Sequence, residues 1–136
     1  VFDTGSSDLW VTGDVFRWRS SLSWQDTHTE KVALVYGKGQ AVGEFGLDRA
    51  CLPTNPGPPL CVFDQPMILA SRVEDMDLNR MDGILGLGFI GISHARLTFL
   101  RNLNRTFDDL SFAFALKAEP SASFLEVGEY KEVMAR

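Results

Sequence analysis

Apolar and polar positions along this chain alternate mostly with a period of two, the repeat that puts successive side chains on opposite faces of a strand. Leu9-Trp10-Val11 and Lys31-Val32-Ala33-Leu34-Val35-Tyr36 are short β-rich runs. Gly37-Lys38-Gly39 breaks the second run, and Gln40 to Leu47 resumes it, so the pattern predicts a hairpin with a glycine-rich tip. Val62-Phe63 and Pro66 to Ala70 are read as further strand, and Phe112 to Leu116 and Phe124 to Val127 as two more near the end. Leu97, Leu100 and Leu103 recur at spacings of three, which predicts one short helix over 95–103. One helix among many strands defines a mostly-β chain. No repeat of 20–50 residues interrupts it.

Composition narrows the function. With 136 residues and 45% hydrophobic positions, the chain has enough apolar material for a packed core, which argues against disorder. Thirteen basic against eighteen acidic residues give a formal charge of −5, with no basic patch to engage a phosphate backbone, so nucleic-acid binding is not expected. The longest uncharged stretches, Cys51 to Phe63 and Gly83 to Ser93, fall short of the roughly 18 apolar residues of a membrane helix. No membrane segment is expected.

The two cysteines, Cys51 and Cys61, bracket a proline-rich loop. A local disulfide is the favoured reading and two reduced thiols the competing one; a zinc site lacks further ligands. Asn104-Arg105-Thr106 matches the acceptor pattern for N-glycosylation. Together these point to an oxidising, secretory route, with an extracellular or endolysosomal or vacuolar destination. Val1-Phe2 runs into the first motif with no initiator methionine, charged leader or apolar signal segment, and Glu129 to Arg136 carries no closing core segment. Residues 1–136 are therefore read as one partial domain, truncated at both ends.

Phe2-Asp3-Thr4-Gly5-Ser6-Ser7 places a carboxylate where an apolar strand turns abruptly, with glycine allowing the tight backbone and two hydroxyls in reach. Hydrogen bonds accepted from such neighbours favour the ionised acid. By itself the triplet also suits an ordinary turn. Other chemistries find less support. Gly83 to Gly91 lacks the Lys-Ser/Thr of a phosphate loop, His28 and His94 have no partnered ligand pattern, and Ser6 and Ser7 have no setting for a serine nucleophile. No metal and no cofactor is expected.

Three separated segments, Val1 to Val11, the hairpin at Tyr36-Gly37-Lys38-Gly39, and Met81-Asp82-Gly83-Ile84-Leu85-Gly86-Leu87-Gly88-Phe89, occur in an order that resembles the N-terminal lobe of the pepsin-like aspartic proteases. Leu110 to Leu116 and Ser123 to Gly128 look like later strands of the same lobe. The resemblance implies a bilobal, mostly-β fold and an aspartic endopeptidase. In such an enzyme two aspartates share a proton, activate a water and hydrolyse the peptide bond by general acid–base catalysis. It makes Asp3 one of that pair, with the other in a C-terminal lobe missing from these residues. Thr4, Gly5 and Ser6 would support the active-site loop, Thr4 through bonds to the other lobe and Ser6 through a bond to the outer oxygen of Asp3. Tyr36, Gly37, Lys38 and Gly39 would form the flap, Trp10 would donate to the tyrosine hydroxyl, and Met81 and Ile84 would line the substrate pocket.

The implied partners are a peptide or protein substrate and the missing lobe. Thr12 to Glu30 contains no cysteine where many relatives carry a small disulfide loop, and Cys51–Cys61 reads as its replacement. Lys38 departs from the small or hydroxyl residues common at the flap tip. Two alternatives accompany the protease reading: a catalytically inactive pepsin-like binding or inhibitor module, and a retroviral-type homodimeric protease in which two copies each supply one aspartate.

Overall fold

The computed structural model describes residues 1–130; the end of the chain singled out above, from position 131 on, lies outside the described residues. The chain divides into two compact units, the first covering Val1–Asn102 and the second starting at Leu103. The first holds seven strands in one sheet: β1 (Phe2–Asp3), β2 (Leu9–Thr12), β3 (Gln25–Asp26), β4 (Val32–Tyr36), β5 (Gly39–Leu52), β6 (Leu60–Glu74) and β7 (Gly83–Gly86). Their order is β1-β7-β2-β6-β5-β3, with β4 on β5. In the second unit β8 (Leu110–Ala115) pairs antiparallel with β9 (Phe124–Glu129). The helix α1 (Phe99–Leu103) spans the boundary in sequence. The mostly-β architecture with one short helix is that of the N-terminal lobe of the pepsin-like fold.

The period-two run at Val32–Tyr36 forms β4, and its pairing Tyr36↔Gly39 leaves Gly37 and Lys38 as a two-residue turn. Beyond that turn β5 and β6 run as one long antiparallel pair, continuous through the two shorter segments read from sequence. Pro66 lies inside β6 opposite Leu47, and the pairing shifts register between Val42 and Gly43 and between Asp48 and Ala50. Such irregularities let a long ribbon bend and twist without losing its pairing. Cys51 and Cys61 are directly opposite and joined by a disulfide, which closes the proline-rich end of this ribbon.

The core of the first unit is a cluster of Trp10, Leu34, Ala41, Ile68, Ala70 and Ile84, drawn from five strands. Trp10 pairs with Ile84 on one side and Ile68 on the other, which puts the indole at the centre of the sheet.

The helix is shorter than the leucine spacing predicts, beginning at Phe99 instead of residue 95. The backbone N–H groups of His94 and Ala95 donate to the Asp8 carboxylate and so are tied to another part of the chain. Thr98 then starts the helix: its hydroxyl accepts from Arg101 N–H at 3.2 Å and its carbonyl from Asn102 N–H at 2.9 Å, the usual service of a capping residue.

Candidate active site

β7 passes between the two arms of the first motif. β1 lies parallel to it through Phe2↔Leu85 and Asp3↔Gly86, and β2 lies antiparallel through Leu9↔Leu85 and Trp10↔Ile84. The loop that joins the arms, residues 4–8, is thereby held at the end of β7. Three backbone bonds fix it: Gly86 N–H to Asp8 O at 3.0 Å, Leu87 N–H to Asp3 O at 2.7 Å and Gly88 N–H to Ser6 O at 2.8 Å. The Ser7 hydroxyl adds a fourth tie, donating to Phe89 O at 2.7 Å. Glycine at 86 is a steric requirement, because a Cβ there would meet the Ser7 backbone at 2.5 Å.

Asp3 is half-buried at the start of this loop. Its Oδ1 accepts the Gly5 N–H at 2.9 Å and its Oδ2 accepts the Ser6 hydroxyl at 2.6 Å. One oxygen is thus oriented by backbone and the other by a short hydroxyl bond, so the carboxylate plane is set from within the motif. Thr4 and Gly5 are exposed.

The Tyr36 hydroxyl accepts the Trp10 indole N–H at 2.9 Å. Burial pushes the Tyr36 phenol above its ordinary value of 10.0; bonds to Trp10 and Ser6 oppose this, while the charges of Asp3 and Asp8 add to it. The bond with Ser6 puts the Tyr36 hydroxyl beside the Asp3 motif. Beyond it, Gly37 and Lys38 are exposed at the turn. Gly39 packs against backbone: a Cβ there would lie 2.2 Å from Glu74 O. The hairpin tip is therefore pinned at Gly39 and open at Gly37, where a Cβ would meet nothing within 4 Å.

Ile84 is buried in the core cluster and Met81 packs against it. Both also line a cavity of about 490 Å³ together with Val1, Phe2 and Cys51; neither Asp3 nor Tyr36 contributes to that cavity. Asn104 is exposed just beyond α1, and its Oδ1 accepts the Leu110 N–H at 3.2 Å. Among the described residues no three His, Cys, Asp or Glu side chains converge as a metal site, and no helix is long and apolar enough to cross a membrane.

One cluster escaped the sequence reading. Asp8 is 4% exposed, and its carboxylate gathers donors from Ser93, His94 and Ala95. A charged residue in the apolar approach to β2 was the available signal, but its partners lie more than 80 positions away.

The first unit thus combines a carboxylate clamped in a tight loop with a hairpin tyrosine bonded to a core tryptophan. The chain belongs to the eukaryotic aspartyl protease family, whose model matches residues 1–131. It is 35% identical to aspartic proteinase A1 of Arabidopsis thaliana over 68% of this chain and 20% of that protein. It is 32% identical to gastricsin of Cavia porcellus over 72% of this chain and 27% of that protein, and 35% identical to procardosin-A of Cynara cardunculus over 68% and 20%. The chain spans about a quarter or less of the length of these relatives.

Proposed function

We propose that residues 1–136 are the N-terminal lobe of an aspartic endopeptidase and that Asp3 is one of its two catalytic carboxylates. The observation that carries this reading is the Asp3 carboxylate itself, fixed by Gly5 N–H and the Ser6 hydroxyl. A second aspartate, from a lobe outside these residues, faces Asp3, and the close pair holds one proton between them because both cannot ionise easily. The ionised member takes a proton from water as the water oxygen bonds to the scissile carbonyl carbon. The protonated member hydrogen-bonds the carbonyl oxygen as negative charge develops there. Collapse of the tetrahedral species breaks the C–N bond, and the departing amine takes up a proton.

Within this reading Thr4 bonds to the partner lobe, and Gly5 and Ser6 hold the loop. Tyr36, Gly37, Lys38 and Gly39 close over an extended peptide, with Trp10 keeping Tyr36 clear of the cleft. Met81 and Ile84 support the apolar wall beneath that hairpin. The exposed Asn104 amide and the Cys51–Cys61 bridge support passage through the secretory route.

The test is binding of a statine-type peptide, which carries a secondary hydroxyl in place of the scissile bond and imitates the tetrahedral species. The natural full-length chain carrying residues 1–136 binds it at acidic pH, and Asp3→Asn weakens binding at least about a hundredfold. Equal binding by both would sink the proposal in favour of a non-catalytic module. Tight binding by residues 1–136 alone as a dimer would favour the homodimeric protease.

A further inference from the structure

Asp8 is an unusual expense for a lobe of this size. It is a carboxylate only 4% exposed, and among the described residues it forms no ion pair with a lysine or arginine. A buried charge is tolerated when hydrogen bonds replace its water, and here they converge from a single turn. Oδ1 accepts the Ser93 hydroxyl at 2.6 Å, the His94 N–H at 3.1 Å and the Ala95 N–H at 3.1 Å. Oδ2 lies 3.0 Å from the His94 N–H and 2.8 Å from the His94 Nδ1. The imidazole is itself half-exposed, with 51% of its side-chain surface open. The Asp8 charge in turn acts on Tyr36, from β4, whose phenol it helps to keep protonated.

The location matters more than the number of bonds. Asp8 ends the loop that begins at Asp3, and its carbonyl accepts the Gly86 N–H. The turn at 93–95 follows Phe89, whose carbonyl holds Ser7. The residues that orient Asp3 are therefore anchored on the far side by the Asp8 carboxylate. The other ties on residues 6–8, from Gly86, Gly88 and Phe89, all come from the segment 86–89, so the Asp8 carboxylate adds a hold from a separate turn.

We propose that Asp8 is a positioning residue for the Asp3 loop, and that Ser93 and His94 form with it a latch that keeps the loop in register under acidic conditions. This rests on the protease reading of Asp3, and it names a device that the reading does not require. The bonds from His94, Ser93 and Ala95 outweigh burial, which acts to raise the value, and hold the Asp8 carboxyl below its ordinary 3.8. Because the folded value is depressed, the latch contributes stability above the ordinary carboxylate range, and loses it only as pH falls through the lower folded value.

The experiment uses the natural full-length enzyme, first shown to cleave a peptide in an Asp3-dependent way; failure at that step refutes the protease reading and not the latch. Asp8→Asn presents an amide NH2 where an acceptor is needed. It is expected to lower kcat about tenfold across the profile with KM within twofold. Ser93→Ala/His94→Ala keeps the carboxylate but removes two of its donors. In this variant the acid limb of kcat moves to higher pH, and His94→Asn, whose amide can donate from near the Nδ1 position, restores it toward wild type. If Asp8→Asn does not fold, the second and third variants decide alone. Unchanged kcat and an unmoved acid limb in Ser93→Ala/His94→Ala overturn the proposal, as does a loss confined to KM.

Discussion

Replacing Gly86 by alanine puts one methyl group against the backbone of the loop that follows Asp3. Its Cβ would lie 2.5 Å from Ser7 C and 2.6 Å from Ser7 Cα and N, where ordinary contact begins at 3.4 Å. All three neighbours are backbone, so no side-chain rotation relieves the clash. The loop can retreat only by stretching the ties that hold it, from Gly86 N–H to Asp8 O, Leu87 N–H to Asp3 O and Gly88 N–H to Ser6 O. Overpacking of this kind costs about 1–3 kcal/mol. A displacement on the order of 1 Å at reacting groups costs about a hundredfold in rate. Gly37→Ala is the control, because its Cβ meets nothing within 4 Å and the site is on the exposed hairpin turn. In the full-length enzyme, kcat for a peptide substrate and the midpoint of thermal unfolding should both fall for Gly86→Ala. Gly37→Ala should stay within about 0.5 kcal/mol of wild type in stability. Wild-type kcat in Gly86→Ala would refute the claim that β7 sets the position of Asp3.

Trp10→Phe removes the donor to the Tyr36 hydroxyl and leaves a gap in the core, so chemical denaturation should show a loss of about 2–4 kcal/mol, with kcat/KM reduced. Cys51→Ala/Cys61→Ala opens a loop with a sequence separation of 10 and should cost up to about 3 kcal/mol on the chain-entropy estimate; a reductant should lower the wild-type melting temperature and leave the double variant unchanged. Because folding raises the Tyr36 phenol above 10.0, its contribution is full below pH 10 and is lost as pH rises through the folded value. Tyr36→Phe should therefore flatten the alkaline fall in stability, measured as Tm against pH. Asn104→Gln should abolish a glycosidase-sensitive mass shift when the chain is made in a secreting eukaryotic host; absence of that shift in the wild type would contradict the site.

Much of the fold was legible because its signals are local. The alternation in Val32–Tyr36, the glycines after it and the spacing of Cys51 and Cys61 each act within a few residues, and β4, its turn and the disulfide follow. The continuity of β5 and β6 was harder to read. Pro66 and Gly46 look like breakers in isolation, yet Pro66 is accommodated opposite Leu47, and Gly46 leaves the space that the Trp24 ring fills. The place of β7 as the strand between β1 and β2 depends on pairings more than 70 positions apart. The early end of the predicted helix was lost to Asp8, which takes the N–H groups of His94 and Ala95. Asp3, Ser6, Trp10 and Tyr36 could be singled out from motifs, whereas the Asp8 network could not, since no motif links position 8 to position 94.

Peptide cleavage by the full-length chain, compared with its Asp3→Asn variant at acidic pH, tests the central claim most directly. The amide keeps the shape of the side chain but cannot take a proton from water, so the account predicts cleavage by the wild type and a loss of at least about a thousandfold in kcat for the variant. Equal cleavage by the two proteins would contradict it.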